Sequence, residues 1–262
     1  MKTDTRDKIL AYIRENKSTT AKGMAAFFII SPQALFKHLK ILLESNLIGK
    51  TGAVPRVQYV PLFLEAVDTP AFRWASAASA VEPPPNWYCP TNDVWQGRLQ
   101  RVAPSLLRSG FDTGAVGLIA GVIGEISDNC FTHNIFAWPD IPGCWFEIEI
   151  AKKYLRCYIA DRGRGILTSL RAARPQLATH TQALLVALTE RISGRLPEAR
   201  GNGLKFVLAA LGQLAGDTGE FIIQSGPARF RHQLPVSRAV SSHISETAAY
   251  LRGTYAELLI KI

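Results

Sequence analysis

The run Glu82-Pro83-Pro84-Pro85 constrains this chain more than any other stretch. Consecutive prolines fix φ and remove backbone donors, so the segment can enter neither a helix interior nor a central strand and reads as stiff and extended. Just upstream, Ala75–Ala80 is small and featureless. A chain of 262 residues is long enough for more than one domain, and the break is placed here. Residues 1–62 are read as one domain, 63–89 as a linker and 90–262 as a second domain.

Apolar residues make up 47% of the chain, enough for a true core. The formal charge is +9 and is unevenly spread: residues 1–62 hold ten lysines and arginines against four acids, a net of +6. Two thirds of the charge thus sits in under a quarter of the chain, which favours an anionic partner there. The longest apolar stretch, around Ala115–Ile123, is shorter than the about 20 residues that a bilayer span needs. The start, Met1-Lys2-Thr3-Asp4, is charged and leads into no apolar signal core. The expectation is a cytoplasmic protein with no membrane partner. Cys89, Cys130, Cys144 and Cys157 show no C-x-x-C or zinc spacing and are expected to be reduced core thiols.

In the first domain, Ile9, Leu10, Tyr12 and Ile13 give Asp4–Glu15 a helical stripe. Thr19-Thr20 supply a cap before a second helix over Ala21–Phe28. Ser31-Pro32 open a third with a Ser cap and Pro at the first helical position, running to about Ser45. Asn46–Lys50 ends that helix and enters a strand, Gly52 makes a turn, and Val57–Val60 returns as a second strand. Three short helices and a two-stranded ribbon resemble the winged helix-turn-helix of bacterial transcription regulators over about Thr5–Leu62. SPQALFKHLKILLESNLIGK looks like that family's recognition helix running into its wing. The resemblance implies duplex DNA as partner. Gln33, Lys37 and Lys40 would lie near base edges and phosphates, and Lys50 and Arg56 on the wing would lie near the adjacent backbone. The alternative is a basic surface used for protein docking or dimerisation.

The second domain opens with a helix expected over Asp93–Arg108, despite Pro104, and another from Gly114 to about His133. Glu125 and Asn129 on the latter are four apart and share a face. An amide oxygen beside a carboxylate suits a magnesium nucleotide: one ligates Mg²⁺, the other holds or activates a water. Strands over Cys144–Ile150 and Leu155–Ala160 lead into Asp161-Arg162-Gly163-Arg164-Gly165, where glycines let backbone approach a planar ligand beside an accepting carboxylate. Ser193–Gly203 precedes a helix from about Leu204 to Ala215, and its glycines expose N–H groups of the kind that bind phosphate, with Arg195 and Arg200 adding charge. A Gly253-Thr254 turn then leads into a strand over Tyr255–Ile262.

Singly these pieces are commonplace. In this order they resemble the GHKL ATPase superfamily, which includes gyrase, heat-shock chaperone ATPases, histidine kinases, mismatch-repair ATPases and anti-sigma kinases. The resemblance covers about residues 90–262. It implies an α+β chain in which the winged helix is followed by a Bergerat-type α/β sandwich, a mixed sheet with helices on one face. It also implies ATP and Mg²⁺ as cofactors. Carried over residue by residue, Asn129 ligates Mg²⁺ and Glu125 stands at the general-base position of members that hydrolyse ATP. Asp161 accepts the adenine amino hydrogen bond with Thr254 assisting, and Gly163 and Gly165 pass the base closely. Gly201 and Gly203 face the phosphates, Arg200 reaches a terminal phosphate, and 167–200 form a mobile ATP lid. His133 is left between a phosphate contact and simple structural polarity. Two departures stand out: Cys130 replaces a usual Ala, and Arg164 sits between the glycines where a small or apolar residue is commoner.

The first domain lacks the long helices and phosphoacceptor His of a sensor histidine kinase. The expected function is therefore an ATP-responsive transcription regulator, as a possible homodimer. The alternatives are a protein kinase similar to anti-sigma factors or histidine kinases, docking a protein partner through the winged helix, and a slow ATPase switch.

Overall fold

The computed structural model describes residues 5–16, 18–44, 48–52, 56–61, 69–151, 154–191, 203–214, 218–234 and 240–261. The chain divides into two compact units, Met1–Thr69 and Pro70–Ile262.

The first unit packs helices α1 (Thr5–Asn16), α2 (Ala21–Phe28) and α3 (Pro32–Glu44) with strands β1 (Ile48–Thr51) and β2 (Gln58–Pro61). The expected caps are in place: the Thr20 hydroxyl accepts from Gly23 N–H at 3.1 Å, and the Ser31 hydroxyl accepts from Ala34 N–H at 3.2 Å. β1 and β2 pair antiparallel, and Thr19 bridges to Tyr59 on the far side of β2. One apolar cluster holds the unit together: Ile9 and Ile13 from α1, Met24 from α2, Leu35, Leu39 and Leu42 from α3, with Ile48 and Tyr59 from the ribbon.

The second unit is a five-stranded sheet in the order β3-β4-β5-β7-β6, formed by Tyr88–Cys89, Cys144–Ala151, Tyr154–Asp161, Ile244–Lys261 and Thr218–Leu234 respectively. Every described pairing is antiparallel, where a mixed sheet was expected. The reason is the insertion of β7. β6 runs in the same direction as β5, as a helical crossover demands, but β7 lies between them and pairs with both.

Helices α5 (Asn92–Leu99), α6 (Val102–Arg108), α7 (Thr113–Thr132), α9 (His180–Thr189) and α10 (Gly203–Gln213) share a core with alternate residues of the strands, among them Phe146, Cys157, Ile159, Phe221, Leu258 and Ile260. The single helix expected over 93–108 is two. Pro104 cannot donate within a continuing helix, but it is tolerated in the first turn of α6. By length and composition α7 could cross a membrane, since its 20 residues exceed the apolar run read from the sequence. In this fold it is a core helix, with Val116, Ile119, Val122, Ile123 and Ile126 buried.

Two further corrections concern the other sheet face and the boundary. Residues 70–89 are not a linker: they form α4 (Pro70–Ser76) and β3 within the second unit. Helices do not cover one face only, because α4 lies on the opposite side. Phe72 meets Tyr255 at 5.2 Å between ring centroids and Trp74 meets Trp145 at 6.1 Å, and Tyr255 and Trp145 alternate with the residues of the helical core. Arg162 fastens this layer. Its guanidinium forks onto Asp140 and also donates to the carbonyls of Trp74 and Ala77 at 2.7 and 2.9 Å.

Candidate functional site

β5 ends on Asp161, which is buried at 3% exposure. Its Oδ1 accepts from Gly163 N–H at 2.7 Å and from the Asn134 amide at 3.0 Å, and the carboxylate also takes the Thr254 N–H. Burial nevertheless dominates and pushes the carboxyl up to about 6. The strand cannot continue past this point. Gly165 sits at φ +72° and opens α8 (Gly165–Arg171), and a Cβ there would fall 2.6 Å from the Arg252 carbonyl oxygen. Ser225 ties the turn to the neighbouring strand, accepting from Ile166 N–H and donating to the Gly253 carbonyl. The D-x-G-x-G segment and the Gly-Thr pair, 90 residues apart in sequence, therefore form one structural unit. Thr254 lies inside β7, paired with Ser225, rather than ahead of a new strand.

The second group lies on α7. The Asn129 amide donates back to the Glu125 carbonyl at 2.9 Å, which leaves its oxygen for another partner. Glu125 is half-buried, and burial, then Asp128, raises its pKa. Gly203, the first residue of α10, sits beside both: a Cβ there would lie 3.0 Å from Glu125 Oε1 and 3.7 Å from Asn129 Nδ2. One helical turn on, His133 caps α7 and its Nδ1 shares a hydrogen bond with the Ser169 hydroxyl of α8 at 3.0 Å. Its observed bond is a structural one between two helices.

The structure thus gathers Glu125, Asn129 and Gly203 at one point of α7, and Asp161, Gly163, Gly165 and Thr254 near that helix's end. Arg200 and Gly201, with Arg195, lie outside the described residues. The stretch expected to be a mobile lid is in large part helical: α8 and α9 share an apolar cluster of Leu167, Leu170, Leu177, Ala183 and Val186. Thr179 and Gln182 form a reciprocal capping box that starts α9. Residues 192–202 lie outside the described part.

Sequence reasoning passed over Asn134, which is buried and bonded to Asp161. Its signal was its place directly after His133, at the end of the motif. The two departures acquire surroundings: the Cys130 thiol adjoins Asp161, and Arg164 is exposed while its N–H donates to the Asn134 side-chain amide oxygen at 3.0 Å. All four cysteines are buried free thiols.

On the first unit, Gln33, Lys37 and Lys40 are exposed along one side of α3, opposite the buried Leu35, Leu39 and Leu42. Lys50 on β1 holds its ammonium 5.8 Å from the Tyr59 ring centroid, and Arg56 is exposed just before β2. The same unit carries exposed apolar side chains: Phe36 on α3 is 52% exposed, Phe27 on α2 62% and Ile29 at the end of α2 91%.

Compared with protein-family models, curated proteins and solved structures, the chain matches none.

Proposed function

We propose that this chain is an ATP-responsive, DNA-binding regulator, in which Mg-ATP held by a Bergerat-type pocket in the second unit modulates a winged helix in the first. The observation that carries the reading is Asp161: a buried carboxylate at a strand end, flanked by glycine backbone, one helix end away from the Glu125–Asn129 pair. Among the described residues Asp161 is held by hydrogen bonds and no cation, burial keeps its charge costly, and a base amino group is a ligand that would use it. Asn129 would ligate Mg²⁺ through its amide oxygen, and Glu125 would hold or activate a water beside it. Gly203 N–H, at the start of α10, and the Gly201 and Arg200 segment would face the phosphates. Bound Mg²⁺ would supply charge neutralisation at the phosphates.

For ATP to act on DNA binding it must favour one arrangement of the protein, whether monomer or dimer, over another. The test measures both ligands on the full chain: calorimetry with Mg-ATP, and anisotropy of a labelled duplex from the region upstream of its own gene, with and without ATP. If four to six phosphates are contacted, log K falls against log salt with a slope of about −4 to −5, and replacing Lys37 and Lys40 by Ala flattens it by about 2. Duplex affinity that ignores both salt and ATP refutes the proposal.

One observation favours a second reading. Phe27, Ile29 and Phe36 expose apolar surface on the first unit, Phe36 on α3 itself. Ile29 does so at φ +52°, a costly conformation for a β-branched residue. Such a surface suits a protein partner, and the chain would then be a kinase or ATPase switch that docks its target through the first unit. Transfer of labelled phosphate from ATP to a protein separates the two readings.

A further inference from the structure

The Asn134 side chain does something that no catalytic or metal-binding role explains. It is 3% exposed and makes three hydrogen bonds. One amide hydrogen goes to Asp161 Oδ1 at 3.0 Å and the other to the Cys130 carbonyl at 3.0 Å, while its oxygen accepts from Arg164 N–H at 3.0 Å. It therefore presents a planar N–H donor beside a planar acceptor, the donor toward Asp161 and the acceptor toward backbone N–H. The amino and ring-nitrogen edge of adenine offers the same pair in the same plane, whereas guanine offers an acceptor and a donor in reverse.

The placement matches the pattern. Asn134 lies over Gly163, where an added Cβ would fall 2.0 Å from its Cγ. The glycine face that the site reading reserves for the base is thus covered by this amide. We infer that the Asn134 carboxamide is a built-in competitor of the adenine edge: it gives Asp161 the hydrogen bond that a bound base would give, and a nucleotide must displace it. The inference rests on the nucleotide reading above and adds to it a residue that sets both apparent affinity and base preference.

The local backbone supports displacement. Asn134 begins a tight turn closed by Ala137 N–H on its own carbonyl at 2.7 Å. Within that turn Phe136 sits at φ +61° and is fully exposed. A left-handed phenylalanine with no packing is strained, and such strain persists only where surrounding contacts hold it. Contacts at both ends hold it: the Asn134 side chain on Asp161 and Arg164, and the Trp138 ring against Phe131. Once a base takes Asp161, the first of these holds is lost and the start of the turn can relax.

The test uses the full chain and Mg-ATP. Asn134→Ala removes the competitor, so ATP binds about 10- to 100-fold more tightly, the range expected when one hydrogen bond to a carboxylate no longer has to be broken. The gain is smaller for GTP, whose guanine in the same pose turns its O6 acceptor toward Asp161. The wild type gives a second readout by NMR: the Asn134 side-chain amide protons exchange slowly in the free protein and rapidly when ATP saturates it. A folded Asn134→Ala protein that binds ATP no more tightly than wild type overturns the inference, because the residue is then a fixed staple of α7. So does an amide that stays protected with ATP bound, and that measurement decides alone if the variant does not fold. If neither protein binds ATP at all, the nucleotide reading itself falls and takes the inference with it.

Discussion

Acidification offers the most discriminating probe of Asp161. Burial pushes its carboxyl up to about 6, against 3.8 when unperturbed, with the bonds from Gly163, Asn134 and Thr254 only partly offsetting the loss of water. A carboxyl raised in the folded state holds its proton more tightly there than when unfolded. The buried charge therefore costs stability above the folded value, roughly 3 kcal/mol at about 1.4 kcal/mol per unit, and the cost fades as pH falls toward 3.8. Nucleotide binding has the opposite slope, because only the ionised carboxylate accepts the amino hydrogen bond well. With the carboxyl about nine-tenths protonated at pH 5, ATP affinity drops up to about tenfold relative to pH 8. Tenfold is the ceiling, since the Asn134 bond to the same oxygen weakens as well. The γ-phosphate of ATP titrates in this window, and so does Glu257, which burial and then Glu220 push up to about 7. Asp161→Asn subtracts both. Calorimetry with Mg-ATP between pH 5 and 8 shows a step in the wild type that is missing from the variant, whose affinity at pH 8 is lower by about 1.5–3 kcal/mol. Equal pH profiles in the two folded proteins would refute the assignment of Asp161 as the base-reading group.

Three further outcomes are expected. Asn129→Ala removes the magnesium dependence of ATP binding, seen by titrating with Mg²⁺ and again with a chelator, because its amide oxygen is the proposed ligand. If the chain turns ATP over, Glu125→Ala slows phosphate release by roughly 10²–10⁴ and leaves binding intact; unchanged turnover excludes it as the base. Arg162→Ala lowers the stability of the second unit by about 2–4 kcal/mol in denaturant unfolding, since one side chain holds Asp140 and the end of α4 together. Arg162→Lys does not restore it, because an ammonium cannot fork onto the carboxylate and reach the carbonyls at once.

The fold was legible where local signals and packing agree. The first unit reads cleanly because each of its helices carries both a stripe and, for α2 and α3, a cap that is seen bonded. β6 escaped attention because Gly226-Pro227 interrupts its alternation and looks like a turn. In the sheet that interruption is a register shift with Gly226 at φ +59°, and pairing with β7 carries the strand through it. The proline run misled in a similar way. Read as stiff and extended, it ends in a tight turn in which the Pro84 carbonyl accepts from Trp87 and Tyr88 N–H, Arg98 donates to the carbonyls of Pro85 and Asn86 at 2.7 Å each, and β3 follows. Long-range side-chain bonds turn a segment that looks like a spacer into part of the domain.

The candidate site was legible as chemistry and not as contact. Spacing alone put Glu125 and Asn129 on one face, and composition alone marked Asp161 with its glycines. What no spacing reveals is that α7 ends against the loop after β5, so that the residue following His133 becomes a partner of Asp161. A motif records which residues a ligand needs. It does not record which residue could stand in for the ligand, because such a role demands only the right hydrogen-bonding edge at the right distance. Asn134 has that edge, and its neighbour Phe136, left-handed and exposed, marks the position as one where local preference has been overruled by contact.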